Sequence, residues 1–171
     1  MSGTSRVRER TEDVYIVFVC TGNICRSPMA EIMTRDAVED AGLTERVLIR
    51  SCGMGGWHVG QPADERAVAE LEASGHDGST HRASQFGDGH RDADLLIALD
   101  SGHVRELRNA GVPGERIRLL RSFDPTSGDD DCADPYYGTS ADFTVVREQI
   151  DAALPGLINW VRETCTDMSG R

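Results

Sequence analysis

The sequence predicts an α/β fold: a single domain with an open parallel sheet of about four strands flanked by helices, and a tight loop leading out of the first strand. Three observations predict it. First, short apolar runs alternate with helix-period segments along the 171 residues, the pattern of right-handed βαβ units. Second, residues 93–99 are almost continuously apolar, as a strand buried on both faces must be. Third, Val17-Phe18-Val19-Cys20-Thr21-Gly22-Asn23-Ile24-Cys25-Arg26-Ser27-Pro28 passes from a β-branched run through a loop into a segment that begins with proline. The length suits one domain with a substantial core. The chain shows no internal repeat and no low-complexity linker.

The elements follow in order. Residues 1–13 read as a disordered arm: the stretch is polar, carries Arg6, Arg8 and Arg10, and lacks the apolar centre of a secretory signal. A strand is expected over 15–20 and a helix over 28–41, with Pro28 in its first turn and Gly42 as its stop. A short strand covers 47–51. A helix over 64–74 sets Ala67, Val68 and Leu71 on one face and ends at Gly75. After the buried strand at 93–99, a helix over 103–109 stops at Gly111 and Pro113, and 117–120 is the last strand. A long polar loop spans 121–138, and an amphipathic helix over 143–161 closes a folded domain of 14–163. Residues 164–171 read as a C-terminal tail.

Composition excludes several classes. A net charge of -11 opposes nonspecific nucleic-acid binding, which needs a basic face. No apolar run approaches the roughly 18 residues that span a bilayer, so no membrane is expected. The five cysteines, Cys20, Cys25, Cys52, Cys132 and Cys165, are odd in number and scattered. They fit free thiols in a cytoplasmic protein better than a disulfide framework. No C-x-x-C pair offers a zinc site. Asp129-Asp130-Asp131 lacks the Gly and Glu spacing of a calcium loop, so it reads as a solvated, self-repelling loop.

The chemistry is concentrated after the first strand. A strand–loop–helix passage can aim backbone N–H groups and a helix N-terminus at one anion. This makes residues Thr21, Gly22, Asn23, Ile24, Cys25, Arg26 and Ser27 the candidate phosphate-binding loop. Gly22 and Asn23 both tolerate left-handed backbone. The G-K-[ST] ending of a Walker loop is missing. Cys20 stands at the base of the cradle, where a helix N-terminus and a cation favour a thiolate. Ser27 is placed to donate its hydroxyl to that sulfur. Arg26 offers a planar fork matched to two phosphate oxygens. A nucleophile inside an oxyanion cradle points to attack on phosphorus. The loop at 121–138 follows the last strand and so overhangs the same sheet edge. It holds two Asp-Pro pairs, at Asp124 and Asp134, either of which could supply a general acid. Trp57, Tyr136 and Tyr137 lie in loops punctuated by Gly or Pro rather than at core periodicity, which suits the rim of a pocket.

Cys-Thr-Gly-Asn-Ile-Cys-Arg-Ser-Pro at 20–28 resembles the low-molecular-weight protein tyrosine phosphatases. So do Asp134-Pro135-Tyr136-Tyr137-Gly138, the segment from Ser51 through Trp57-His58-Val59-Gly60, and His81-Arg82-Ala83-Ser84-Gln85. The likeness covers about 14–161 and is strongest to bacterial members of actinobacterial type. It implies Cys20 as nucleophile through a phosphocysteine, Arg26 as phosphate clamp and Asp134, rather than Asp124, as general acid and base. It implies that Asn23, Ser27, Ser51 and His81 brace the loop, with Trp57 and Tyr136 in the substrate wall. No metal and no organic cofactor are expected. The expected partners are phosphotyrosine proteins, with inorganic phosphate as product and inhibitor, acting on a monomer. Cys25, in the same loop as Cys20, is a candidate redox partner for it. The other histidines, His58, His76, His90 and His103, read as surface residues. Two rivals remain: an arsenate reductase of the same fold, whose downstream cysteine relay is missing between Cys52 and Cys132, and a noncatalytic phosphotyrosine-binding module, which would not need Cys20, Arg26 and an acid together.

Overall fold

The computed structural model describes residues 12–127 and 131–169. At its centre lies a sheet of β1 (Val14–Cys20), β2 (Val47–Gly53), β3 (Leu95–Ala98) and β4 (Ile117–Leu119). All pairs are parallel, in the spatial order β2-β1-β3-β4. Around it stand α1 (Arg26–Asp40), α2 (Glu65–Ala73), α3 (Asp88–Arg91), α4 (Ser101–Asn109) and α5 (Ser140–Ser169).

Alternation along β1 feeds two cores. Val14, Ile16, Phe18 and Cys20 join Met29 and Met33 of α1, Leu71 of α2 and Phe143, Ile150 and Leu157 of α5. Tyr15, Val17 and Val19 face the other way, against Leu107 and Val112. Every residue of β1 is buried, so its sequence reads as unbroken apolar rather than alternating. The chain leaves β1 for β2 on one side, then returns past β1 to β3 on the other. The sheet therefore has a switch point between β1 and β3, where α/β folds place their ligands. Cys20 ends β1, and Asp100 follows β3 by two residues.

The boundaries differ from expectation in informative ways. Helix α1 begins at Arg26 rather than 28, because Pro28 occupies the third helical position, where its missing N–H costs nothing. Strand β2 runs on to Gly53, since Cys52 and Gly53 stay in register with Val19 and Cys20. Helix α4 starts at Ser101, capped by the Asp100 side chain, which accepts from the His103 amide at 3.2 Å. The short α3 lies in a stretch where the sequence predicts no element. The stretch at 121–138 is not wholly irregular, as its first residues belong to a 3-10 turn at Leu120–Phe123.

Helix α5 corrects the expected end of the domain. Residues 164–169, assigned to a tail, are helical. Cys165 is buried, and Arg46 Nη2 donates to its carbonyl at 3.0 Å. Pro155 removes one ladder hydrogen bond without ending the helix, because Ala153, Leu157 and Val161 anchor both sides of it in the core. Asp13, placed in the disordered arm, accepts from Arg46 Nε at 2.6 Å. Residues 1–11 of that arm, residues 128–130 with Asp129 and Asp130 among them, and residues 170–171 lie outside the described residues. Among the described residues no helix is long and apolar enough to cross a membrane, and no group of three or more metal-ligating side chains is gathered.

Candidate active site

The loop between β1 and α1 is held in one shape by its own side chains. Asn23 has φ 60°, and no other non-glycine residue is left-handed among those described. Gly22, the other residue expected there, has no positive φ; it leaves room for His58, whose Cδ2 would stand 2.9 Å from an added Cβ. Every polar atom of the Asn23 amide is used. Its Oδ1 accepts from the Ser84 amide at 2.9 Å, and its Nδ2 donates to Ser27 Oγ at 2.8 Å and Ser51 Oγ at 2.9 Å. His81 Nε2 bonds the Asn23 carbonyl at 2.8 Å. Ser51 Oγ in turn donates to Glu31. The expected bracing set of Asn23, Ser27, Ser51 and His81 is brought together, with Glu31 and Ser84 added. Beneath it Gly53 admits no side chain: a Cβ would lie 2.7 Å from the Thr21 carbonyl oxygen.

Ser27 Oγ accepts from Asn23 and lies 2.9 Å from Cys20 Sγ and 3.5 Å from the Cys52 carbonyl. With Cys20 as the thiolate, which can only accept, Ser27 is the donor to the sulfur. The other four thiols are pushed up by burial, Cys132 to about 12 and Cys25, Cys52 and Cys165 also above their ordinary value.

Arg26, in the first turn of α1, is only 2% exposed. Its Nη1 donates to Asp100 Oδ2 at 2.7 Å and to the Cys132 carbonyl at 2.8 Å. Its Nη2 lies 3.4 Å from Thr21 Oγ1 and 3.7 Å from Asp134 Oδ2. Burial works against the charge, but Cys20, Asp100 and Asp134 outweigh it and raise the pKa. For Asp100, desolvation opposes ionisation, yet Arg26 and the His103 side lower it overall.

Asp134 comes from the loop before α5. Its Oδ1 accepts from the Tyr136 amide at 3.1 Å, which turns the other oxygen toward Arg26. Arg66, in the first turn of α2, straps this loop down: Nη2 donates to the Tyr136 carbonyl at 2.9 Å and Nη1 to the Gly138 carbonyl at 3.0 Å. Arg66 is itself aligned by Asp64, whose Oδ1 and Oδ2 accept at 3.0 and 2.9 Å, and it stacks 4.6 Å over Phe143. The Asp64 amide reaches the Ile24 carbonyl at 2.8 Å, so one helix start ties the anion loop to the acid loop. Asp124 is spent elsewhere, accepting from the amide and hydroxyl of Thr126 in a turn at the base of the loop.

These groups enclose a cavity of about 370 Å³, lined by Cys20, Thr21, Gly22, Ile24, Cys25 and Arg26 below and Trp57, His58, Asp134, Tyr136 and Tyr137 above. Asn23 and Ser27 stand behind this lining, turned into the bracing network. Trp57 is 72% and Tyr137 93% exposed, as rim positions should be, and Tyr136 packs edge-on against Tyr137 at 4.9 Å. A second cavity of about 520 Å³ lies behind the bracing residues Glu31, Ser51 and His81 and has no cysteine in its lining.

The histidines correct the surface reading. His58 lines the active cavity, and His76 pairs with Asp36 at 2.6 Å. His90 caps α3 by accepting from the Gly87 amide at 3.0 Å. His103 is 2% exposed and bonds Thr21 Oγ1 at 2.9 Å. The signal for His103 lay in Asp100-x-x-His103, a capping-box spacing just after a buried strand. Asp100 shares that signal, whereas nothing local marks the roles of Glu31 and Arg66.

Residues 15–166 match the family described as low molecular weight phosphotyrosine protein phosphatase. The chain is 52% identical over 155 residues to low molecular weight protein-tyrosine phosphatase A of Mycobacterium tuberculosis, covering 90% of this chain and 94% of that one. Its fold overlays a protein tyrosine phosphatase of Entamoeba histolytica with a TM-score of 0.82 at 28% identity, covering 88% and 97%. It also overlays the YwlE arginine phosphatase of Bacillus subtilis, at 0.78 and 28% identity, covering 86% and 95%. With its cysteine, arginine and serine in one braced loop at the β1–β3 switch point, the chain belongs to the low-molecular-weight protein-tyrosine phosphatase family.

Proposed function

We propose that this phosphatase hydrolyses phosphotyrosine in proteins through a phosphocysteine. The observation that carries the reading is the Cys20 sulfur, hydrogen-bonded by Ser27 at 2.9 Å, on the floor of a cavity that also holds Arg26 and Asp134. Cys20 Sγ attacks phosphorus in line with the phenolic oxygen. The P–O bond breaks as an S–P bond forms, and Asp134 delivers a proton to the departing phenolate. Arg26 and the loop hold the equatorial oxygens, where charge spreads in the transition state. In the second step Asp134 takes a proton from water, which displaces Cys20 and releases inorganic phosphate. That product occupies the cradle and so inhibits. Ser27 stabilises the thiolate both as attacking and as leaving group. No metal and no organic cofactor enter.

The overlay with an arginine phosphatase leaves the substrate to the pocket wall. Trp57, Tyr136 and Tyr137 supply flat apolar faces suited to a phenyl ring. The test compares wild type with Cys20→Ser and Asp134→Asn in reductant without added metal, on p-nitrophenyl phosphate and on phosphotyrosine, phosphoserine and phosphoarginine peptides. Loss of turnover by roughly 10⁴-fold in Cys20→Ser and preference for phosphotyrosine are expected. Preference for phosphoarginine would overturn the substrate assignment, and a folded but inactive wild type the enzyme reading.

Cys25 we propose as the thiol that protects the nucleophile. Peroxide converts the Cys20 thiolate to a sulfenic acid, and Cys25 condenses with it to a disulfide and water. Mass spectrometry after peroxide treatment should recover a Cys20–Cys25 crosslink reversible by thiols. Sulfinic or sulfonic Cys20 without that crosslink would refute the pairing.

A further inference from the structure

His103 is a buried side chain, hydrogen-bonded to a residue that lines the active cavity, and the proposed mechanism does not use it. Its hydrogen bonds follow from the backbone. The Asp100 amide N–H points at His103 Nδ1, 3.2 Å away. A backbone hydrogen cannot turn aside, so Nδ1 is the accepting nitrogen, although Asp100 Oδ1 also lies 3.3 Å from it. In the neutral ring the proton therefore sits on Nε2. Burial keeps the ring neutral against the pull of Asp100, Asp134 and Asp131, with its pKa lowered to about 4. Nε2–H then donates to Thr21 Oγ1 at 2.9 Å.

Thr21 Oγ1 has a second neighbour, Arg26 Nη2 at 3.4 Å. Arginine is a donor only, and so is this face of His103. Both partners approach lone pairs of the hydroxyl and neither can receive its hydrogen. Thr21 is exposed, and it lines the cavity beside Cys20 and Arg26.

We propose that the Thr21 hydroxyl is a preset hydrogen-bond donor to a nonbridging oxygen of the bound phosphoryl group, oriented by His103. Thr21 is then a substrate-binding residue through its side chain, in addition to its place in the loop. His103 is a positioning residue that acts through Thr21. The chain of donors runs from the Asp100 amide through His103 and Thr21 to the ligand. Asp100 thus orients the anion site twice, through Arg26 with its carboxylate and through His103 with its amide. The inference rests on the phosphatase reading, because it needs a phosphoryl group in the cavity.

The probe is inorganic phosphate, titrated calorimetrically into wild type, Thr21→Val, Thr21→Ser, His103→Phe and the Thr21→Val/His103→Phe double variant. Turnover of p-nitrophenyl phosphate is followed in parallel. Thr21→Val keeps the shape and removes the hydroxyl, and should weaken phosphate binding about tenfold or more. Thr21→Ser should restore it to within about threefold. His103→Phe should weaken binding in the wild-type background and have no further effect when Thr21 is already valine. A merely structural histidine would lower affinity equally in both backgrounds. That result, or Thr21→Val binding phosphate as wild type does, would overturn the proposal. If His103→Phe fails to fold, the Thr21→Val and Thr21→Ser pair decides alone, since neither change touches the core. A wild type that binds phosphate and hydrolyses the ester while Thr21→Val matches it defeats only this inference. A wild type that does neither defeats the phosphatase reading on which it rests.

Discussion

Asp134 shows what a single residue owes to its neighbours. Its Oδ1 is tied to the Tyr136 amide, leaving Oδ2 3.7 Å from Arg26 at the cavity mouth. A general acid there helps in proportion to how much the leaving group needs a proton. Asp134→Asn should therefore slow phenyl phosphate by about 10²- to 10⁴-fold and 2,4-dinitrophenyl phosphate far less. Steady-state kinetics over a series of phenols measures this slope, and an equal loss across the series would remove Asp134 from the proton transfer. At this scale the sequence was most legible where the chemistry is local. Cys20, Ser27 and Arg26 sit within one loop and turn, and their spacing alone places them together. Asp100 and His103 stand 74 and 82 residues along the chain from the Arg26 and Thr21 they bond, so Asp100-x-x-His103 marks a helix start but nothing in its spacing ties it to the loop. Asp124 and Asp134 were alike as Asp-Pro pairs, and only the neighbouring tyrosines told them apart.

The elements deliver these residues through their ends. Helix α1 brings Arg26 and Ser27 in its first turn, α4 brings Asp100 as its cap, and α2 brings Arg66. Arg66 is the one that couples two loops, since Asp64 beside it bonds the Ile24 carbonyl while Arg66 holds the carbonyls of Tyr136 and Gly138. Arg66→Ala should free the segment 134–138 and lower kcat/KM about tenfold for phosphotyrosine, as a loosened acid loop misplaces its proton. Turnover of 2,4-dinitrophenyl phosphate should change little. Lysine has one point charge in place of the fork and should not rescue the loss. Amide hydrogen exchange should rise at 136–139 in the same variants; unchanged exchange with reduced turnover would place the effect elsewhere. The sequence located every strand but misjudged helix ends. Pro28 lies in the first turn of α1 as expected, but the helix begins two residues before it, and α5 runs past 161 because the polar run Arg162-Glu163-Thr164 hides a buried stripe that continues to Cys165.

For the molecule as a whole, the parallel sheet and its switch point were legible because strand burial and βαβ alternation act on long stretches. The histidines were not, because burial of a polar ring depends on what the finished fold packs over it. That burial has a global consequence. His103 is held below its ordinary value of 6.5, at about 4, chiefly by desolvation, and His90 is lowered for the same reason with Arg50 adding to it. In the unfolded chain both rings gain a proton near pH 6.5. In the folded protein His103 stays neutral until about pH 4. Between those values the unfolded state binds more protons, so stability falls as pH falls across that window. For His103 the loss amounts to roughly 3 kcal/mol at full extent, a large part of the 5–15 kcal/mol typical of a domain. The lowered aspartates Asp64, Asp77, Asp100 and Asp124 add their own losses only below the ordinary aspartate range near 3.8, and the lowered Glu70 only below about 4.5. Denaturant titrations at pH 7, 5.5 and 4.5 should therefore show a decline already complete in large part before any of these carboxylates protonates. His103→Gln cannot take up a proton and should flatten that decline, leaving the smaller contribution of His90. A variant that lost stability with pH as steeply as wild type would show that the ring at position 103 is not the buried base this fold makes it.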